Sequence, residues 1–185
     1  MTRSDLETLS RLLHQKHELD ARIAAIVGRP AQIGHVGEFI ASKIFAIDLH
    51  ASASHKGSDG LFREGPLAGQ SVNVKWYAKH ENVLDISLGA VPDYYLVMTG
   101  PTPVVWTSRG GNRPWLIEQV FLFDAAALIA DLQALGVKVG VASGVRKATW
   151  SAAELFPTAA SPLLTFSPEQ RHVLSLFGAN GAPAP

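Results

Sequence analysis

The chain has 185 residues, of which 47% are hydrophobic and 17% are charged. This apolar content is enough for one complete core and too little for two, so we expect one domain with appendages. Sixteen basic and sixteen acidic residues give a formal net charge of zero, which excludes a disordered polyelectrolyte and a strongly basic DNA coat. Because the chain has no cysteine, a metal would need carboxylate, amide or histidine ligands. The sequence has neither an apolar run of roughly 18 residues nor the apolar core of a signal peptide, and therefore predicts a cytoplasmic protein outside the membrane.

The first 28 residues predict a long amphipathic helix. Ser4 and Glu7 have the spacing of a capping box, and leucine and isoleucine then recur at helical intervals up to Gly28. This apolar stripe is compatible with a partner-binding arm or with a dimerisation arm, through which two copies of the chain would form a homodimer. It is equally compatible with packing on the helix's own domain.

A second helix is predicted over residues 33–45. Its apolar stripe consists of Ile33, Val36, Ile40 and Ile44. Glu38 lies off this stripe, on the side of Gly34, Ala41 and Ser42, where small residues allow another backbone to approach. We therefore expect the Glu38 carboxylate to face a neighbouring sheet.

The middle of the chain predicts a mixed central sheet. Leu61-Phe62 and residues 71–76 form a hairpin, and the second of these strands alternates, with Asn73 and Lys75 on one face. The other face carries Val72, Val74 and Trp76, which we expect in the core. Further strands are predicted at residues 84–86, 94–98, 104–106 and 137–141.

The last third of the chain predicts further helices and a tail. Asp124 is expected to cap a helix that Gly136 ends, Ser151 to cap a short helix through Leu155, and Ser167 to open a capping box. The predicted division is an N-terminal helix at residues 1–28, an α/β domain at 29–177 and a flexible tail at 178–185.

Four polar residues converge in this predicted arrangement. They are Glu38 on a helix, Asp59 at the start of the hairpin, and Asn73 and Lys75 on one strand face, where residues two apart lie about 6.6 Å from each other. Hydrolysis of a phosphodiester needs oxygen ligands that hold Mg²⁺ or Mn²⁺ against the phosphate, and a cation that positions the attacking water.

The segments that carry these residues resemble a known superfamily. Gly34–Glu38, Lys56–Gly60 and Val72–Lys75 look like the core of the PD-(D/E)XK, or restriction-endonuclease-like, nucleases, and in particular of their bacterial members. Pro92–Val97 resembles the strand after that core, and Trp150–Pro157 resembles the closing helix. The likeness implies a restriction-endonuclease-like α/β core, in which a central mixed β-sheet is flanked by helices.

The resemblance also implies roles for individual residues. Asp59 would be the principal ligand of Mg²⁺ or Mn²⁺, with Glu38 as accessory carboxylate and the Val74 carbonyl as a further ligand. Lys75 would orient or activate the nucleophilic water. Asn73 departs from the pattern, because the family has Glu or Asp there and Gln as a variant. An amide oxygen can bind Mg²⁺ but brings no negative charge.

Nucleic acid, with DNA as the first expectation, is the partner that the resemblance implies. Lys56, His55 and Lys79 could bind phosphate near the site, and Tyr77 is a better base-stacking residue than Trp76, which shares its face with core valines.

Two functions remain open at this point. The first is a metal-dependent nuclease. The second is a catalytically inactive domain of the same fold that binds nucleic acid or a protein, which the neutral Asn73 and the zero net charge favour.

Overall fold

The computed structural model describes residues 3–52, 56–102 and 113–181, in which the chain forms five α-helices and eight β-strands. The helices are α1 (Arg3–Val27), α2 (Ile33–Ile44), α3 (Ala125–Ala134), α4 (Lys147–Ala153) and α5 (Pro168–Ser175). The strands are β1 (Ile47–Leu49), β2 (Gly60–Phe62), β3 (Ser71–Tyr77), β4 (Val83–Leu84), β5 (Tyr94–Thr99), β6 (Gln119–Asp124), β7 (Ser143–Gly144) and β8 (Glu154–Phe156). His55 and the strand predicted at 104–106 lie outside the described residues.

Six of the strands form a mixed central sheet in the order β1-β2-β3-β5-β6-β8. Strands β3 and β5 are parallel, whereas every other neighbouring pair of this sheet is antiparallel. The Ser71 N–H and hydroxyl both donate to Asp93 Oδ2, at 2.7 and 2.6 Å, and so join the beginnings of the two parallel strands. The predicted α/β fold with a mixed central sheet and a long N-terminal helix is confirmed.

Helices cover both faces of the sheet. Helices α2 and α5 pack on one face, and α3 and α4 on the other. The first core layer includes Val72, Val74, Trp76, Leu96, Met98, Val120 and Leu122, and the second includes Tyr95, Val97, Phe121 and Phe123. Because β5 and β6 are covered on both sides, their sequences are continuous apolar runs, while β3 keeps a polar face.

The predicted helix caps are largely confirmed. Asp124 Oδ1 accepts the Ala127 N–H at 2.9 Å at the start of α3, and Gly136 adopts a left-handed φ of 69° just after that helix. Ser167 and Gln170 form both bonds of a capping box at the start of α5. Local side-chain chemistry therefore fixes these boundaries.

Two predicted strands were misplaced. Residues 137–141 form no strand, because the Val137 N–H bonds back to Leu132 and the chain turns at Gly140, whose N–H donates to Ser143 Oγ. The short strand of this region is β7, which pairs with β4 in a separate two-stranded sheet. The strand predicted at 84–86 is thus β4, shifted by one residue and outside the central sheet.

The helix predicted from Ser151 was also misplaced. Helix α4 begins earlier, with Arg146 at its N-cap, and the chain has already become strand β8 at Glu154. The change follows from pairing with the neighbouring strand, because Glu154 and Phe156 lie opposite Phe121 and Val120 of β6. The segment Trp150–Pro157, expected to be a closing helix, is therefore half helix and half strand. Strands β1, β6 and β8 were not predicted.

Helix α1 is confirmed, but its packing on the domain is not observed. No residue of α1 is buried, and its leucines and Ile26 are exposed. The half-buried residues of the helix lie toward its end and are Asp20, Ile23, Ala24 and Val27. No helix in the described ranges has the length and hydropathy needed to cross a bilayer.

Candidate active site

Strand β3 presents Asn73 and Lys75 on the face opposite its core residues, as the alternation predicted. Val72, Val74 and Trp76 are buried, whereas Asn73 and Lys75 are half-buried. Asn73 and Lys75 line a cavity of about 210 Å³ together with residues of the segment 85–90 and Tyr95. The two side chains that the motif requires on one face therefore share one recess.

Asp59 lies where β2 separates from β3. Its N–H donates to the Val72 carbonyl at 2.8 Å, and its Oδ2 accepts the Val74 N–H at 2.7 Å. The carboxylate thus takes the place of a strand partner for Val74 and is held against β3. Since the N–H and C=O of a strand residue point to the same side, the Val74 carbonyl also faces Asp59. These two predicted metal ligands are brought together.

A close approach of backbones fixes the residue after Asp59. A Cβ at Gly60 would lie 2.4 Å from the Asp48 carbonyl oxygen on β1. Only glycine fits there, so the Asp59-Gly60 step both admits β1 and sets the direction of the Asp59 side chain.

Glu38 reaches the same region from helix α2. The helix packs tightly on β3 at Gly37, where a Cβ would lie 3.0 Å from Trp76 Cβ. Glu38 Oε2 accepts from Arg29 Nη1 at 2.6 Å, and Arg29 Nη2 donates to the His50 carbonyl at 2.9 Å. Burial raises the pKa of Glu38 and repulsion from Asp59 raises it further, while Arg29 lowers it. Glu38 and Asp59 are therefore electrostatic neighbours.

The charges of Asp59 and Lys75 are both disfavoured by burial. Burial raises the pKa of Asp59, against the Val74 N–H and the positive charge of Lys75, which lower it. Burial lowers the pKa of Lys75, against the attraction of Asp85 and Asp59, which raises it. Lys75 Nζ also lies 5.8 Å from the centroid of the Tyr95 ring. The lysine therefore lies in a partly dehydrated recess in which Asp85 and Asp59 attract its charge.

Asn73 carries an unused acceptor. Its Oδ1 is buried and has no hydrogen-bond partner in the part of the chain that the structure describes. Buried polar atoms are almost always paired, so an unpaired one calls for an explanation such as an absent ion or water. The position is the one where the resemblance places a metal ligand.

Two charged residues of this cluster, Asp85 and Arg29, were not predicted from the sequence. Asp85 accepts the Ala142 N–H at 2.7 Å and the Tyr77 hydroxyl at 3.3 Å, and lines the same cavity as Lys75. In the sequence, Asp85 stands out as the single acidic residue of the strand predicted at 84–86. Arg29 gave no signal beyond its position in a helix break.

Only some of the residues predicted to bind nucleic acid lie near this site. Lys56 is exposed on the loop before Asp59. Tyr77 is half-buried and bonded to Asp85, and burial raises its pKa. Lys79 forms an ion pair with Glu81 and lines a different cavity, of about 210 Å³. Trp76 is buried, as expected.

The oxygen donors present fit a hard divalent cation. Asp59, Glu38, the Val74 carbonyl and the Asn73 amide oxygen are the ligand types that Mg²⁺ and Mn²⁺ take, and burial raises the pKa of both carboxyls, so their charges would gain from a cation. Within the described ranges no three His, Asp or Glu side chains form a ready-made metal cluster. A cation would therefore rely on the neutral oxygens as well as the two carboxylates.

Fold and site together define an α/β protein with a six-stranded mixed sheet and a polar cluster at the fork between β2 and β3. No protein-family model matches the chain, and no curated protein matches it.

Proposed function

We propose that this chain is a metal-dependent nuclease of the restriction-endonuclease-like type, which hydrolyses phosphodiester bonds of DNA. The observation that carries the proposal is the Asp59 carboxylate, which the Val74 N–H holds against β3 beside Lys75. A carboxylate and a lysine in this relation are what the PD-(D/E)XK motif requires.

Each residue has a role in the proposed reaction. Asp59, Glu38 and the Val74 carbonyl, with Asn73 as a neutral ligand, would hold Mg²⁺ or Mn²⁺. The bound ion supplies charge stabilisation for the phosphate and its leaving oxygen. Lys75 would orient or activate the attacking water, because burial lowers its pKa and so favours the neutral amine, which can accept a proton from that water, more than in a solvated lysine.

A second candidate function is a domain of this fold that binds nucleic acid or protein without cleaving it. The ion pair between Arg29 and Glu38 favours this second function, because the Arg29 guanidinium already neutralises the carboxylate that would serve as the accessory metal ligand. The neutral Asn73 points the same way.

The test is calorimetric titration of Mn²⁺, followed by cleavage assays on single- and double-stranded DNA and RNA oligonucleotides. Wild type should bind Mn²⁺ and cleave DNA, and Asp59→Asn should lose both. Asp48→Asn is the matched control, because Asp48 is an exposed carboxylate on β1 that pairs with Arg63. Cleavage that survives Asp59→Asn would contradict the proposal, and nucleic-acid binding without Mn²⁺ binding would support the second function.

A further inference from the structure

Helix α1 has an exposed apolar seam with a seven-residue repeat. Seven residues separate Leu12, Leu19 and Ile26, and seven separate Leu9, Lys16 and Ile23. In the heptad notation abcdefg, these two rows are the d and a positions of a coiled coil. The seam therefore consists of Leu9, Leu12, Lys16, Leu19, Ile23 and Ile26.

The domain leaves this seam almost uncovered. Leu12 and Leu19 are each 53% exposed and Ile26 is 70% exposed, whereas the half-buried residues lie toward the end of the helix, at Asp20, Ile23, Ala24 and Val27. A strict seven-residue repeat suits a second helix better than a sheet, because it keeps both rows on one contact line.

We infer that α1 forms an antiparallel coiled coil with α1 of a second copy of this chain. In one antiparallel register all six seam positions meet one another. Leu9 then faces Ile26 of the second copy, Leu12 faces Ile23, and Lys16 faces Leu19. At the edge of the seam, Leu6 would meet the half-buried Val27 of the second copy.

Charge complementarity selects the antiparallel direction. Lys16 is the single charged residue of the seam, and it forms an ion pair with Asp20 of the same helix. In a parallel pair the two Lys16 side chains would face each other and repel. In the antiparallel pair the two Lys16–Asp20 pairs lie around the two-fold axis, where each lysine has a carboxylate of either helix nearby.

Size and shape are also compatible with a dimer. The helix of 25 residues is about 37 Å long, so the antiparallel arrangement places the two domains at opposite ends. The five aliphatic side chains of the seam and the stem of Lys16 would bury on the order of 1,000 Å² in total over both copies, which is where specific interfaces begin. The occupant of the seam is thus a second copy, and the dimer should be reversible.

The first test is the mass of the full chain by sedimentation velocity over a range of concentrations. Wild type should change from monomer to dimer as concentration rises, and the double variant Leu12→Glu with Leu19→Glu should weaken the dimer at least about a hundredfold. Ala21→Glu with Ala25→Glu is the matched control, because both alanines are exposed on the other side of the helix. A monomeric wild type at all concentrations, or a dimer unaffected by the seam variant, would overturn the inference.

The second test determines whether the two helices run parallel or antiparallel. It also tests the inference without a charged substitution, in case such a variant fails to fold. The chain has no cysteine, so Leu9→Cys and Ile26→Cys can be made separately with different tags. Under oxidation each variant alone should stay uncrosslinked, and the mixture should form a disulfide-linked heterodimer. Homodimer disulfides of either variant alone would show a parallel pair, and no disulfide in the mixture would show that the seam is not paired in this register.

Discussion

The substitution Asn73→Asp tests most directly whether a cation belongs at the β2–β3 fork. It replaces a neutral amide with a carboxylate of nearly the same shape, at the position where the resemblance expects an acid. The Asn73 Oδ1 atom has no hydrogen-bond partner to lose within the part of the chain that the structure describes. The effect on metal binding should therefore be mainly electrostatic.

The size of the effect follows from the charge that the substitution adds beside the ion. A unit charge about 4 Å from a divalent ion gains about 8 kcal/mol at an effective dielectric constant of about 20, and about 2 kcal/mol at that of water. Desolvation of the new carboxylate and its repulsion by Asp59 act on the folded protein with and without the ion, so they lower its stability rather than its metal affinity. The gain in binding free energy is therefore at least about 2 kcal/mol, which is at least about a 30-fold tighter binding of Mn²⁺.

The assay is Mn²⁺ calorimetry on wild type, Asn73→Asp and Asn73→Ala, with urea unfolding in the presence of a chelator. Asn73→Asp should bind Mn²⁺ more tightly than wild type, and Asn73→Ala more weakly. Without metal, the Asp variant should be the less stable by about 1–2 kcal/mol, because a third carboxylate joins Glu38 and Asp59. Equal Mn²⁺ affinity of all three proteins would refute the placement of the ion beside Asn73.

Three further outcomes are expected from the contacts of the site. Without metal, the stability that Asp59 contributes should be full at low pH and lost as pH rises through its folded pKa, because that pKa is raised above its ordinary 3.8. Asp59→Asn should flatten this pH dependence of the unfolding free energy in urea titrations. An unchanged slope in that variant would contradict the raised pKa. Lys75→Met should abolish DNA cleavage without lowering the urea midpoint, because burial disfavours the charged lysine; cleavage by this variant would exclude Lys75 from the reaction. Gly37→Ala should cost about 1–3 kcal/mol, because its Cβ would press on Trp76, whereas Gly34→Ala, with open space around it, should cost nothing in the same thermal unfolding assay; equal effects would show that α2 does not pack tightly there.

The parts of the fold that could be predicted are those whose signal is local. The alternation along β3 gives its two faces without knowledge of any neighbour, and caps such as Asp124 and Ser167 bond to backbone within the next three residues. The apolar run of β5 is long enough to identify a covered strand. In the site, Asp59, Asn73 and Lys75 belong to one hairpin, so their grouping follows from short-range pairing.

The parts that escaped prediction depend on distant partners. Strand β8 is a short extended segment directly after a helix, and it exists because β6 offers it an edge. Asp85 comes to Lys75 only through the loop that separates the parallel strands β3 and β5, and Arg29 comes to Glu38 only because α2 lies on the sheet. No periodicity or capping motif encodes such contacts.

The charge balance of the site gives the strongest reason to treat the cluster as functional. Glu38, Asp59 and Asp85 bring three carboxylates, and Arg29 and Lys75 bring two cations, so the carboxylates outnumber the lysine and arginine charges by one. Burial raises the pKa of Glu38 and of Asp59 and lowers the pKa of Lys75, which means that each of these three charges is less stable here than in water. A domain that needed only its fold would be more stable with apolar residues in these places. The cost is understandable if the site binds a cation and a phosphate, since the cation would neutralise the excess charge and the lysine would meet a new anion.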